Sequence, residues 1–153
     1  MDKALDVAQS QAIAQQVKGK DPFNLAHQAA LLLPGGDYIQ GFLALKGDAQ
    51  PREHAWVELE GAIVDPTLPR LNQPPENLVY VEAHRLDLES LMAAIEEAKE
   101  DYPEDDPLPI YGGAPESYDY YGDVMLGDKA YSSALELAKA ACRKFNAPVK
   151  RNT

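Results

Sequence analysis

Two short runs carry the side chains best placed to do chemistry: Glu53-His54-Ala55-Trp56-Val57-Glu58 and Ile63-Val64-Asp65-Pro66-Thr67. Between them, Glu60-Gly61 fits a two-residue hairpin loop, which requires residues tolerant of left-handed backbone. Such a loop sets Leu59 opposite Ala62, Glu58 opposite Ile63, Val57 opposite Val64, Trp56 opposite Asp65 and His54 opposite Thr67. Side chains alternate across a strand, so His54, Trp56 and Glu58 share one face with Ile63, Asp65 and Thr67. Asp65 is then a diagonal neighbour of His54, about 7–8 Å away between backbones and within side-chain reach. A carboxylate there accepts an imidazole N–H, fixes the tautomer and stabilises the charged ring. The same pair also serves as a plain structural hydrogen bond, and Asp-Pro-Thr is an ordinary turn, so spacing alone leaves both roles open. Register decides the matter, because a slip of one residue turns Asp65 to the other face.

Taken with Tyr38-Ile39-Gln40-Gly41-Phe42, the runs Glu53-His54-Ala55-Trp56 and Val64-Asp65-Pro66-Thr67 resemble the transglutaminase-like branch of the papain-like cysteine-protease superfamily. The likeness spans roughly Asp21 to Leu68. It implies an antiparallel sheet packed against a central helix whose N-terminus carries a nucleophilic cysteine. It also implies that His54 and Asp65 hold the second and third triad positions. At the nucleophile position this chain reads Lys20-Asp21-Pro22-Phe23-Asn24, without Cys, Ser or Thr. The expectation is therefore a pseudoenzyme with a vestigial dyad, binding a peptide, protein or small molecule in a cleft lined by Trp56, His54, Asp65 and Asn24. The competing expectation is an active hydrolase or acyltransferase using His54 and Asp65 with an unidentified nucleophile. Cys142 lies on the apolar face of a predicted helix, where thiols are inert, and neither Ser10 nor Ser132-Ser133 has a base nearby in sequence.

The elements that must position these residues follow from pattern. Apolar residues at helical spacing predict a helix over Asp2–Val17. Asp21-Pro22 caps a second one, running to Leu33 and halted by Pro34-Gly35-Gly36. Strands follow at Tyr38–Leu45, His54–Leu59, Ala62–Asp65 and Leu78–Leu86, with Gly41 marking a bulge or a close backbone approach. Helices at Leu88–Glu100 and Lys129–Phe145 complete an α+β chain with an antiparallel sheet. Residues 1–147 read as one domain and 148–153 as a basic tail.

Composition narrows the function. Fourteen Lys and Arg against 25 Asp and Glu give a net charge of −11, which repels phosphate and argues against direct nucleic-acid binding. One cysteine excludes an internal disulfide, and the longest apolar run, Ala29–Leu33, is far too short to span a membrane. A soluble, cytoplasmic chain is expected. His27, His54 and His84 lack the spacing of a known metal motif, and no phosphate-binding glycine loop is present, so neither a metal nor a cofactor is expected. Acidic residues Glu96, Glu97, Glu100, Asp101, Glu104, Asp105 and Asp106 precede Tyr111, Tyr118, Tyr120, Tyr121 and Met125. Acid beside tyrosine suits a protein partner with a basic surface, and a third expectation is an acidic inhibitor or nucleic-acid mimic.

Overall fold

The structure is a computed structural model. It describes residues 4–101, 103–104 and 126–146, the side chains of 126–129 excepted. Helices α1 (Val7–Ala14) and α2 (Pro22–Leu32) precede strands β1 (Asp37–Leu45), β2 (Arg52–Leu59) and β3 (Ala62–Val64). A one-turn helix α3 (Leu68–Leu71), a 3-10 turn (Pro75–Asn77), strand β4 (Leu78–Leu86) and helices α4 (Leu88–Asp101) and α5 (Leu126–Asn146) follow. The class is α+β. The four strands form an antiparallel sheet in the order β3-β2-β1-β4.

Local chemistry accounts for the boundaries. Asp21 Oδ1 accepts the Phe23 N–H at 3.0 Å and Pro22 opens α2, as the Asp-Pro pair predicts. Glu60 and Gly61 take φ values of 51° and 80°, the left-handed pair that closes a two-residue hairpin. Val57 therefore pairs with Val64, Glu58 with Ile63 and Leu59 with Ala62, the register read from sequence.

The first helix is shorter than its periodicity predicts. Asp6 caps it by accepting the Gln9 N–H, and Ala4–Asp6 instead runs along β3. There, Ile63 N–H bonds Ala4 C=O and Asp6 N–H bonds Ile63 C=O, both at 2.8 Å. The edge of β3 is satisfied by this pairing, which takes Ala4–Asp6 out of the helix.

The two faces of the sheet have different neighbours. On one, Tyr38, Ala55, Val57 and Val64 meet Leu25, Ala26, Ala29 and Ala30 of α2 and Leu91 and Ile95 of α4. Farther along that face, Phe42 packs on Tyr131, Ala134 and Ala138 of α5. The opposite face carries Ile39, Trp56 and Ile63, with Leu5 and Tyr80 against them. No helix covers that aromatic patch among the described residues.

Gly41 is the pivot of β1. The β1–β4 register shifts between Gln40 and Gly41, and a Cβ built on Gly41 would lie 2.0 Å from the Val81 carbonyl oxygen. Only glycine fits this approach. Gly41→Ala is expected to cost more than about 2 kcal/mol, because backbone rather than a pliable side chain must yield. Urea unfolding followed by circular dichroism measures it, and an unchanged midpoint would mean that β4 is not seated this closely.

Candidate functional site

His54 and Asp65 meet. His54 Nε2 lies 2.9 Å from Asp65 Oδ2, with both residues buried at 3% and 0% exposure. Asp65 sits one residue beyond β3, where its side chain also shapes the turn: Thr67 N–H and Thr67 Oγ1–H donate to Oδ1 at 2.8 and 2.7 Å. From β4, the Tyr80 hydroxyl donates to Oδ2 at 2.7 Å. Four donors thus saturate the carboxylate. Burial alone would raise the Asp65 pKa, but the His54 ring, Tyr80 and Thr67 outweigh it and hold the carboxyl below its usual range. Burial, together with the negative charge of Asp65, pushes the Tyr80 phenol up, so it remains a donor.

The network assigns the imidazole proton. Thr67 Oγ1 gives its own proton to Asp65 and stands 3.2 Å from His54 Nε2, so both neighbours of Nε2 can only accept. The proton belongs on Nε2 and the basic lone pair on Nδ1. The Nε2–H is spent inside the fold, on Asp65 and Thr67, and the Thr67 hydroxyl is oriented by Asp65 rather than activated by His54.

Ser10, weighed on sequence only as a nucleophile, takes a supporting role in the site that sequence reading missed. Its Oγ accepts the Asp65 N–H at 2.9 Å, across 55 residues, and the side chain is fully buried. Ser10 therefore anchors the backbone of the Asp-Pro-Thr turn from α1. A hydroxyl inside a short helix carries no signal for so distant a partner. Tyr80 was equally silent, although its place in an alternating strand marked it as facing one side of the sheet.

Aromatic rings overlie the pair. The Trp56 and Tyr80 centroids are 5.0 Å apart at 70°, edge to face, and each lies 6.2 Å from His54. Beside them opens a groove of about 530 Å3, lined by Trp56, Tyr80, Ile63, Leu5, Glu58 and Glu82 among others. At its polar end, Arg85 bonds Asp37 (2.8 Å), Glu58 (2.6 Å) and Glu82 (2.8 Å). Three carboxylates share one guanidinium there.

Asn24 does not join this cluster. It lies on α2, which covers the Ala55 and Val57 face, and its Oδ1 accepts from Gln28 Nε2 at 2.7 Å. The expected cleft between Asn24 and the dyad is corrected by the strand alternation itself: His54 and Trp56 point away from α2. Cys142 is buried on α5, where desolvation pushes its thiol up. His27 sits on α2, and His84 stacks on Tyr131 with centroids 6.1 Å apart. Among the described residues no three His, Cys, Asp or Glu side chains converge as metal ligands. Glu96, Glu97, Glu100 and Asp101 lie exposed on α4, while Asp105, Asp106, Tyr111, Tyr118, Tyr120, Tyr121 and Met125 fall outside the described residues. Among the described residues, no helix is long and apolar enough to cross a membrane.

Compared with known proteins, the chain matches no family model, no curated protein and no solved structure.

Asp65→Asn is expected to cost about 3 kcal/mol at neutral pH, because it leaves His54, Tyr80 and Thr67 short of a charged acceptor. The folded carboxyl titrates below its ordinary 3.8. Its contribution is therefore complete above that value and lost as pH falls through the folded one. Urea midpoints between pH 7 and pH 3 should fall less steeply for Asp65→Asn than for the parent. Equal slopes would remove Asp65 as the source of acid sensitivity. Ser10→Ala, measured the same way, is expected to cost about 2 kcal/mol for one orphaned buried N–H.

Proposed function

We propose that this chain is a catalytically inactive binding module whose site is the groove on the open sheet face. One observation carries the reading: the Asp65 carboxylate spends all its acceptor capacity on His54, Tyr80 and Thr67, and this network underpins the aromatic floor of the groove. A dyad that drives acyl transfer needs an attacking atom within reach of the ring. Among the described residues, the Thr67 hydroxyl beside the ring is a donor to Asp65, and Ser10 is engaged with the Asp65 N–H. The half-buried Tyr80, held from behind by the buried Trp56, gives the groove a rigid aromatic wall with little entropy to lose on binding, as recognition pockets favour.

The His54-Ala55-Trp56 and Asp65-Pro66-Thr67 pairing supports the likeness to the transglutaminase-like branch. What the proposal keeps from that likeness is the pair and its turn. The nucleophile is not kept: α2 begins with Asp21-Pro22 and lies against the face opposite His54.

Incubation of the chain with an activated acetyl ester, followed by intact-mass and peptide mass spectrometry, tests the reading. No acetyl adduct is expected on Ser10, Thr67 or Cys142, and ester turnover should equal that of buffer. An adduct on one of these three that disappears in a folded His54→Gln variant would establish a working nucleophile and overturn the proposal.

A further inference from the structure

Strand β4 ends the sheet on the side away from β3. Lys46 N–H bonds Asn77 C=O at 2.9 Å, and β1 pairs with β4 as Leu45–Leu78, Ala44–Val79, Leu43–Tyr80 and Phe42–Val81. Bonded and non-bonded pairs alternate in an antiparallel ladder, so the main chain of Val79 and Val81 serves β1. The N–H and C=O of Leu78 and Tyr80 then point outward, where no further strand lies among the described residues. Edges of this kind are usually guarded by charge or proline. Leu78 to Val81 has neither.

The order of residues along this edge fits it to itself. Val79-Tyr80-Val81 reads the same in both directions, and its central residue is one whose main chain faces outward. Two copies of β4 laid antiparallel about a two-fold axis at Tyr80 set Tyr80 against its own copy as a bonded pair. Val79 then meets Val81 of the second copy, and the reverse contact repeats it, as a two-fold interface requires. Both valines are half-buried and, standing opposite Ala44 and Phe42, face α5.

Helix α5 supplies a second observation at the same place. Leu137 lines the groove together with Leu78 to Glu82, yet it is 64% exposed, more than any other large hydrophobic among the described residues. The helix thus overhangs the edge, and an added strand would carry its two valines beneath Leu137. Charge permits the register, because Glu82 falls opposite Leu78 of the second copy, about 13 Å along the strand from the like carboxylate. We infer that a second copy of this chain adds to the edge of β4, joining two four-stranded sheets into one continuous sheet. This rests on the binding reading above and names the partner. The acetyl-ester assay and the measurements below are independent, so the failure of one is distinct from the failure of the other.

The test is sedimentation of the full chain from micromolar to millimolar concentration, paired with amide exchange of the 15N-labelled chain. The mass is expected to rise to twice that of the monomer, and the Tyr80 amide to exchange more slowly as the dimer fills. Leu137→Lys should weaken the dimer by at least about tenfold, since each copy loses an apolar contact. Leu31→Lys, on α2 and 49% exposed, should leave it unchanged. Both substitutions are at exposed sites and should preserve the circular dichroism spectrum. A monomer at every concentration would overturn the inference, and a Tyr80 amide protected in that monomer would mean that the chain's own residues take the edge. A dimer that tolerates Leu137→Lys, or that forms without slowing Tyr80 exchange, would place the contact elsewhere and overturn it too. Masses growing beyond the dimer would mean a contact that does not close, and would overturn the two-fold pairing.

Discussion

A buried carboxylate must be answered on every side, and the fold answers Asp65 from four segments of chain. His54 comes from β2, Tyr80 from β4, Thr67 from the turn that Asp65 itself begins, and Ser10 from α1 holds its backbone. Transfer of an ionised group out of water is so costly that partial satisfaction would not suffice. The cluster therefore sets the position of β4 relative to β2 across an intervening strand, a constraint that apolar packing alone leaves loose. Gly41 makes that geometry possible: on β1, between His54 and the bulged stretch of β4, it has no side chain to hold the strands apart.

That arrangement changes what the histidine is for. A base serves catalysis when one nitrogen is oriented and the other confronts a proton to be moved. Here orientation is complete, with the proton assigned to Nε2, and among the described residues the hydroxyls of Thr67, Tyr80 and Ser10 are engaged with Asp65. Rigid placement of Trp56 and Tyr80 is the more direct consequence, since both rings pack on His54 and Tyr80 is tied to Asp65 by its hydroxyl. In the proposed binding reading, this support is what keeps the groove wall preorganised. The acid–Arg85 cluster adds polarity at one end, so the groove has direction as well as area.

The sheet as a whole divides labour between its faces. Helices α2, α4 and α5 bury one face and carry most of the apolar core. The other face is closed at its β3 side by Ala4–Asp6 and at one end by Leu68 and Leu78, leaving the aromatic patch between them. Among the described residues, loops and short segments rather than a helix border the groove on this face.

Much of this was legible in the residues themselves, and the reasons are local. The hairpin register followed from Glu60-Gly61, because left-handed backbone at two positions fixes the loop length and the loop length fixes which residues pair. The meeting of His54 with Asp65 followed from that register. The start of α2 followed from an N-cap aspartate ahead of proline, and the bulge from a glycine within an apolar strand. Each depends on neighbours a few residues apart, for which sequence spacing is a sufficient ruler. Only the tertiary structure decided the rest: that α2 lies behind the sheet and leaves Asn24 apart from the pair, that Ser10 and Tyr80 complete the carboxylate's shell, and that Arg85 gathers Asp37, Glu58 and Glu82. These contacts join segments separated by up to 55 residues, and which face of a sheet a helix covers is set by the total burial of both faces, a quantity no single run of residues contains.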